Sequence, residues 1–285
     1  MKLLIDSNYL AHRAFFVTGD LSYKEQKTGV IFTFLMQCLK LAKRFDTTDL
    51  IFCWDSKKSY RKILYPEYKS NRRKDLSEDE KKKYQMAYNQ FDILKNEALF
   101  NLGFSNVFYR IGYEADDLIA IITKNNLNDE FVIVSSDNDL YQLLTSKVKM
   151  FDVKKKELFT NEDFESKFNI LSSQWAMAKS ISGCNTDGVK GIRGISDPGH
   201  NEKSKVFLYL KGKLQGKLFK DIDCFAGQQL INRNKQLIDL PLVWKDAIDI
   251  ELKENTFIKK KFIDVFSQYD FRSCLDNFKQ WEIFF

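Results

Sequence analysis

Short apolar runs that stop at an acid recur through the first half of the chain. Lys2–Ile5 runs into Asp6, Leu50–Trp54 into Asp55, and Phe131–Ser135 into Ser136-Asp137-Asn138-Asp139. Runs of this length with polar stops read as buried strands, and Val107–Tyr109 and Val148–Val153 read as two more. Residues 29–44 have helical spacing and end in Lys43-Arg44, cations that suit a helix C-terminus. Residues 78–101 read as a charged and then amphipathic helix, and another helix starts near Glu114 and runs to about Lys124. Strands alternating with helices predict an α/β fold with a mostly parallel sheet. From about residue 160 the pattern turns mainly helical. The expected division is a core over 1–160 with a helical subdomain over 161–285 docked on it.

In parallel sheets, sites form beyond the carboxyl ends of the strands. Asp6, Asp55 and Asp137 stand at such ends, and Gly112–Leu118 adds Glu114, Asp116 and Asp117 beside the apolar Leu118–Thr123. Glu114 and Asp117 are three apart at a helix start, so they share a face. Like charges this close repel, and each resists dehydration. Something positive must sit among them, either a Lys or Arg side chain or metal ions. Any single acid here is more readily a strand-end cap, a turn residue or a salt-bridge partner. Four segments delivering acids to one rim favour metal. Oxygen donors without His or Cys point to Mg²⁺ or Mn²⁺, and so many carboxylates to two ions about 4 Å apart.

Composition agrees. A 44% hydrophobic content is that of a folded globular chain, and five scattered cysteines suit a reducing cytoplasm. With only His12 and His200, a multi-histidine metal site is excluded. No signal peptide or membrane-spanning run is evident, so a cytoplasmic protein is expected. Net charge is +6; without the eight acids Asp6, Asp55, Glu114, Asp116, Asp117, Asp137, Asp139 and Asp187 it would be +14. A basic surface around an acidic centre is what an enzyme cutting a polyanion needs. Ser56–Lys74 alone carries net +7, from Lys57, Lys58, Arg61, Lys62, Lys69, Arg72, Arg73 and Lys74 against Glu67. Tyr60, Tyr65 and Tyr68 are interleaved, placed to stack on bases. Gly183–Ile195 is a glycine-spaced turn between predicted helices whose amides could hold a phosphate, with Lys190, Arg193, Lys203 and Lys205 adding charge.

Taken in order, these segments resemble the structure-specific 5′ nuclease family of flap endonucleases, phage 5′ nucleases and the 5′ nuclease domain of bacterial DNA polymerase I. The matching stretches are Asp6 in Ile-Asp-Ser-Asn, Asp55 in Trp-Asp, and Tyr-Pro-Glu-Tyr-Lys-Ser-Asn-Arg at 65–72. Tyr-Glu-Ala-Asp-Asp at 113–117, Ser-Ser-Asp-Asn-Asp at 135–139, the glycine turn and Asn232–Pro241 follow. The resemblance implies a PIN-like sheet, an arch or clamp over about 56–90, and a helix-three-turn-helix element in the helical half. It implies a stand-alone, monomeric 5′-3′ exonuclease or flap endonuclease of replication and repair. Its substrates would be DNA flaps, nicks and 5′ ends, and RNA primers in RNA–DNA hybrids. Asp6, Asp55, Glu114, Asp116 and Asp117 would serve a first ion, and Asp137, Asp139 and Asp187 a second. Lys69, Arg72 and Asp117 would be catalytic. Arg61, Lys62, Lys69, Arg72, Arg73, Lys190, Arg193, Lys203 and Lys205 would hold DNA. Two departures stand out. Cys184 replaces a family Asp, which leaves open a weakened, DNA-structure-binding member, and Ser196–Asn201 interrupts the glycine turn. A PIN-type ribonuclease is a third possibility.

Overall fold

A computed structural model describes residues 1–18, 22–23, 26–72, 76–199, 201, 203–245 and 248–285. Six strands form the central sheet: β1 (Lys2–Asp6), β2 (Leu50–Trp54), β3 (Val107–Tyr109), β4 (Phe131–Val134), β5 (Val148–Asp152) and β6 (Glu157–Phe159), in the order β3-β2-β1-β4-β5-β6. The first five strands are parallel, and β6 returns antiparallel to β5. β6 was not expected; its Glu157-Leu158-Phe159 is too short and too exposed to show a strand pattern.

Successive side chains of a strand point to opposite faces, and the core follows that alternation. Leu3, Ile5, Phe52, Trp54, Val132 and Val134 belong to one apolar cluster, while Leu4, Ile51, Cys53, Phe131 and Ile133 belong to another. Helices α1 (Ser7–Thr18), α2 (Gly29–Phe45) and α4 (Glu78–Ile93) cover the first face. Between them in sequence lies the short α3 (Tyr60–Leu64). The second face is covered by α5 (Ala115–Asn125), α6 (Asn161–Phe168), α7 (Trp175–Ser182), α8 (Val206–Leu210), α9 (Lys217–Asp223) and α10 (Phe225–Ile238). The sequence pattern hid α1. Its buried face is Ser7, Leu10, Ala11 and Ala14, mostly small residues, while Phe16 and Val17 stand exposed.

The expected boundary near residue 160 does not divide the core. Phe164 and Trp175 pack in the same cluster as Leu118 and Ile133, and α11 (Lys259–Gln268) returns to the opposite face. There Phe262, Phe266 and Trp281 are buried in the cluster that also holds residues of α2 and α4. Among the described residues, no helix is long and apolar enough to cross a membrane.

Strand addition reverses direction between β1 and β4. That creates a switch point, and the crevice beyond the carboxyl ends there is where such sheets bind ligands. Trp281→Ala should test whether the final segment is part of the core. It is expected to destabilise the protein by about 3–5 kcal/mol in urea unfolding, whereas a peripheral tail would lose under about 1 kcal/mol.

Candidate metal centre

Asp6 closes β1 directly beside the switch point. Its Oδ1 accepts from the Tyr9 amide at 3.0 Å and its Oδ2 from the Ser135 hydroxyl at 2.8 Å. Asp55 follows β2, and its Oδ1 accepts the Ala115 amide at the start of α5 at 2.8 Å. Asp116 lies in the first turn of α5, and Asp137 caps the turn after β4 by accepting the Asp139 amide at 2.9 Å. All four line one cleft of about 550 Å³, with Glu114, Lys69 and Arg72 on its wall. Burial, then the charges of Asp55 and Asp137, pushes the Asp6 carboxyl up to about 7. Asp55 is raised by burial and then Glu114, and Asp116 well above the carboxylate range by burial and then Asp137. Among the described residues, none of these four acids is in an ion pair; the nearby Lys69 is committed to Glu114. Crowded carboxylates without a counter-charge fit a divalent cation, and an all-oxygen donor set fits a hard one.

Two acids of the Glu114–Asp117 cluster have protein cations instead. Asp117 is fully buried and takes both arms of Arg61, Oδ2 from Nη1 at 2.6 Å and Oδ1 from Nη2 at 2.7 Å. It also accepts the Glu114 amide at 3.0 Å and the Leu242 amide at 2.7 Å. Asp117 is therefore committed to Arg61 and, unlike Asp116, does not line the cleft where its expected metal and catalytic roles would be exercised. Arg61 is only 2% exposed and also donates to the Leu237 carbonyl at 2.7 Å, so it cannot touch DNA as expected. Glu114 accepts from Lys69 Nζ at 2.8 Å, Tyr68 OH at 3.1 Å and Ser59 Oγ at 3.1 Å. Burial pushes its carboxyl up, but Lys69 and then Arg61 outweigh this and hold it at about 2.

Lys69 reaches the cleft because its backbone is left-handed, at φ 53°, with its amide on the Asp187 carbonyl at 2.7 Å. Arg72 donates to Asp187 Oδ1 at 2.5 Å, so these two cations stand between the acids and solvent. Lys62 is exposed at the cleft mouth, while Arg73 lies outside the described residues. The tyrosines are used internally. Tyr60 stacks on Trp244 at 4.4 Å, Tyr65 carries the Arg233 guanidinium at 4.8 Å, and Tyr68 is buried.

A second corner adjoins the first. Carboxylate oxygens of Asp139 and Asp187 and the Cys184 sulfur lie within 4.8 Å of one another. Burial, then Asp137, pushes Asp139 up to about 6; burial, then Asp139, pushes the Cys184 thiol up to about 11. Lys179 Nζ stands 3.2 Å from Asp139 and 3.1 Å from Asp197. Neither Lys179 nor Asp197 stands out in the sequence, since one lysine in a helix and one acid in a loop carry no pattern. The glycine stretch is a short antiparallel ladder, Gly183–Cys184 against Val189–Lys190, rather than an open phosphate cradle. A Cβ on Gly191 would meet the Ser182 carbonyl at 2.0 Å, and the Ile192 amide donates to the Ile181 carbonyl at 2.8 Å. Lys190, Arg193, Lys203 and Lys205 are exposed around it.

Comparisons with known proteins agree with this geometry. The family model described as 5′-3′ exonuclease, N-terminal resolvase-like domain, matches residues 1–169. A 5′-3′ exonuclease of Mycoplasmopsis pulmonis is 28% identical over 98% of this chain and 93% of its own length. One from Mycoplasma pneumoniae is 35% identical over 68% of this chain and 67% of its own. Among solved structures, the T5 D15 protein co-crystallised with metal ions superposes with a TM-score of 0.68 at 25% identity, covering 84% of this chain and 89% of that one.

Breaking the buried pair from one side should be costly: Arg61→Met is expected to lose about 3–5 kcal/mol in urea unfolding because Asp117 is left buried and unpaired. Asp6 gives a pH test in EDTA. Its carboxyl rises on folding from 3.8 to about 7, so the stability tied to its protonated form is complete below 3.8 and lost as pH rises through about 7. Asp6→Asn should therefore match wild type near pH 4 and exceed it above pH 7, and added divalent cation should narrow the gap. Equal pH dependence of the two proteins would rule this out.

Proposed function

The chain belongs to the 5′-3′ exonuclease family and is a metal-dependent nuclease acting on DNA; from the four acids that lack a protein cation, we propose that Asp6, Asp55, Asp116 and Asp137 hold its catalytic ion. Their chemistry favours Mg²⁺, with Mn²⁺ as a substitute. A bound ion of this kind activates water and polarises a phosphodiester oxygen.

The chain's own residues do the rest. The Tyr9 and Ala115 amides and the Ser135 hydroxyl fix Asp6 and Asp55 before any ion arrives, so little side-chain entropy is lost on binding. Lys69 and Arg72 stand at the cleft mouth, where they neutralise Glu114 and Asp187 and meet an incoming phosphodiester. A phosphate can take over their donors because both cations remain partly exposed, at 23% and 50% of the side chain. Exposed Lys57, Lys62, Lys190, Arg193, Lys203 and Lys205 supply the sequence-independent attraction to the backbone. The substrate we assign is a 5′ end or 5′ flap of duplex DNA, including RNA-primed ends, met by a monomer in the cytoplasm. Residues 161–238 act as its DNA-holding part and 56–90 as its clamp.

The single observation carrying this reading is the contrast within one motif: Asp117 is locked to Arg61 and Asp116, next to it, faces the cleft with no cation. Asp116→Asn is thus expected to lower flap cleavage by about 100-fold or more, near 2.7 kcal/mol of barrier, with flap binding unchanged and urea stability not lowered. Loss of binding, or full activity, would count against it. Mg²⁺ titration with 5′-labelled flap, nicked duplex and single-stranded RNA sets the substrate class. Flap binding with no cleavage at any Mg²⁺ concentration would leave a DNA-structure binder, and preferential RNA cleavage a ribonuclease.

A further inference from the structure

The second corner differs from the first in having protein cations beside its acids. Asp139 faces Lys179 Nζ at 3.2 Å, and Asp187 Oδ1 accepts from Arg72 at 2.5 Å. The third donor is a thiol, and Cys184 Sγ lies 3.1 Å from the Thr186 hydroxyl. Lys179 is only 4% exposed, and Asp197 holds its ammonium from the far side with both oxygens, at 3.1 and 3.3 Å.

Asp197 itself belongs to the Ser196–Asn201 insertion, in which the described Ser196, Asp197 and Gly199 are tied to the fold. The Gly199 amide donates to Asp197 Oδ1 at 2.8 Å, and the Ser204 hydroxyl donates to the Ser196 carbonyl at 2.6 Å. Gly199 sits so close to the loop after β4 that a Cβ there would meet Asn138 Nδ2 at 3.0 Å. The two departures from the family pattern, Cys184 and the insertion, therefore act on one point. The first removes a negative donor, and the second fixes a buried cation beside the remaining ones.

Resting on the metal-dependent reading above, we infer that the Lys179 ammonium, locked by Asp197, takes the electrostatic place of a second ion, so that this nuclease binds a single Mg²⁺-class ion at Asp6, Asp55, Asp116 and Asp137. In the substrate-free protein the charge count leaves little for a dication: Asp139, Asp187 and Asp197 carry −3 against +2 from Lys179 and Arg72, Lys69 Nζ stands a further 4.0 Å from Asp187, and a neutral thiol adds nothing. A dication at this corner would be repelled by an ammonium that burial leaves unscreened. A thiol is also a poor partner for a hard ion.

Mn²⁺ binding to the full chain, counted by electron paramagnetic resonance and calorimetry, tests this without reference to activity. Wild type is expected to bind one Mn²⁺, and Cys184→Asp still one, because Lys179 remains. Lys179→Met should bind two. Two ions in wild type or in Cys184→Asp, or one in a natively folded Lys179→Met, would overturn the inference. The first two counts decide it even if Lys179→Met fails to fold. Absence of cleavage in Mg²⁺ would strike the nuclease reading whatever the ion count, whereas two bound ions with cleavage intact would strike only this inference.

Discussion

The bidentate pair between Arg61 and Asp117 is the constraint on which the site depends. It joins α3 to the first turn of α5, and through the Leu237 carbonyl and Leu242 amide it also fixes the chain beyond α10. Neither partner sees solvent, so each would be costly alone, and their desolvation is offset only because nearly every donor and acceptor is used. With Asp117 immobilised, the helix start is immobilised too. Glu114 and Asp116 then project toward the strand ends from a fixed base rather than from a mobile loop.

From that base the acids divide by what neutralises them. Glu114, Asp117, Asp139 and Asp187 face Lys69, Arg61, Lys179 and Arg72 respectively. Asp6, Asp55, Asp116 and Asp137 keep their charges crowded, with only amides and a hydroxyl for support. In the first set each acid has a protein cation beside it, although burial and Asp137 still push Asp139 up to about 6. The second is electrostatically strained, which is the ground for proposing it as the cation site. Cations at the mouth and acids at the base give a cleft with the charge pattern that the proposed reading requires.

Much of this arrangement is written in the amino-acid pattern. The strand ends at Asp6, Asp55 and Asp137 are legible because buried parallel strands leave short apolar runs with abrupt polar stops, and β1, β2 and β4 fall there. The α4 helix is legible from its charge pattern, and Ser77 with Glu80 caps it as such sequences do. Less visible are α1, whose packed face is made of small residues, and β6, whose three residues carry no pattern. The basic stretch misleads in part. Its charge and aromatic content suggest one DNA-binding surface, yet Arg61 and Tyr68 point inward while Lys62 and Arg72 point out.

Sequence alone determined the α/β class, the gathering of acids at one sheet edge and the hard-metal chemistry, because each follows from residue type and local periodicity. Which acid meets a protein cation and which does not was decided only by tertiary structure. Glu114, Asp116 and Asp117 look alike in the chain, and their fates depend on partners 46 to 125 residues away, such as Tyr68, Arg61 and Leu242. The same holds for Lys179 and Asp197, whose pairing beside Cys184 exists only once the insertion folds back over α7. Counter-charge is a property of space rather than of sequence neighbours, so only the folded chain could assign it.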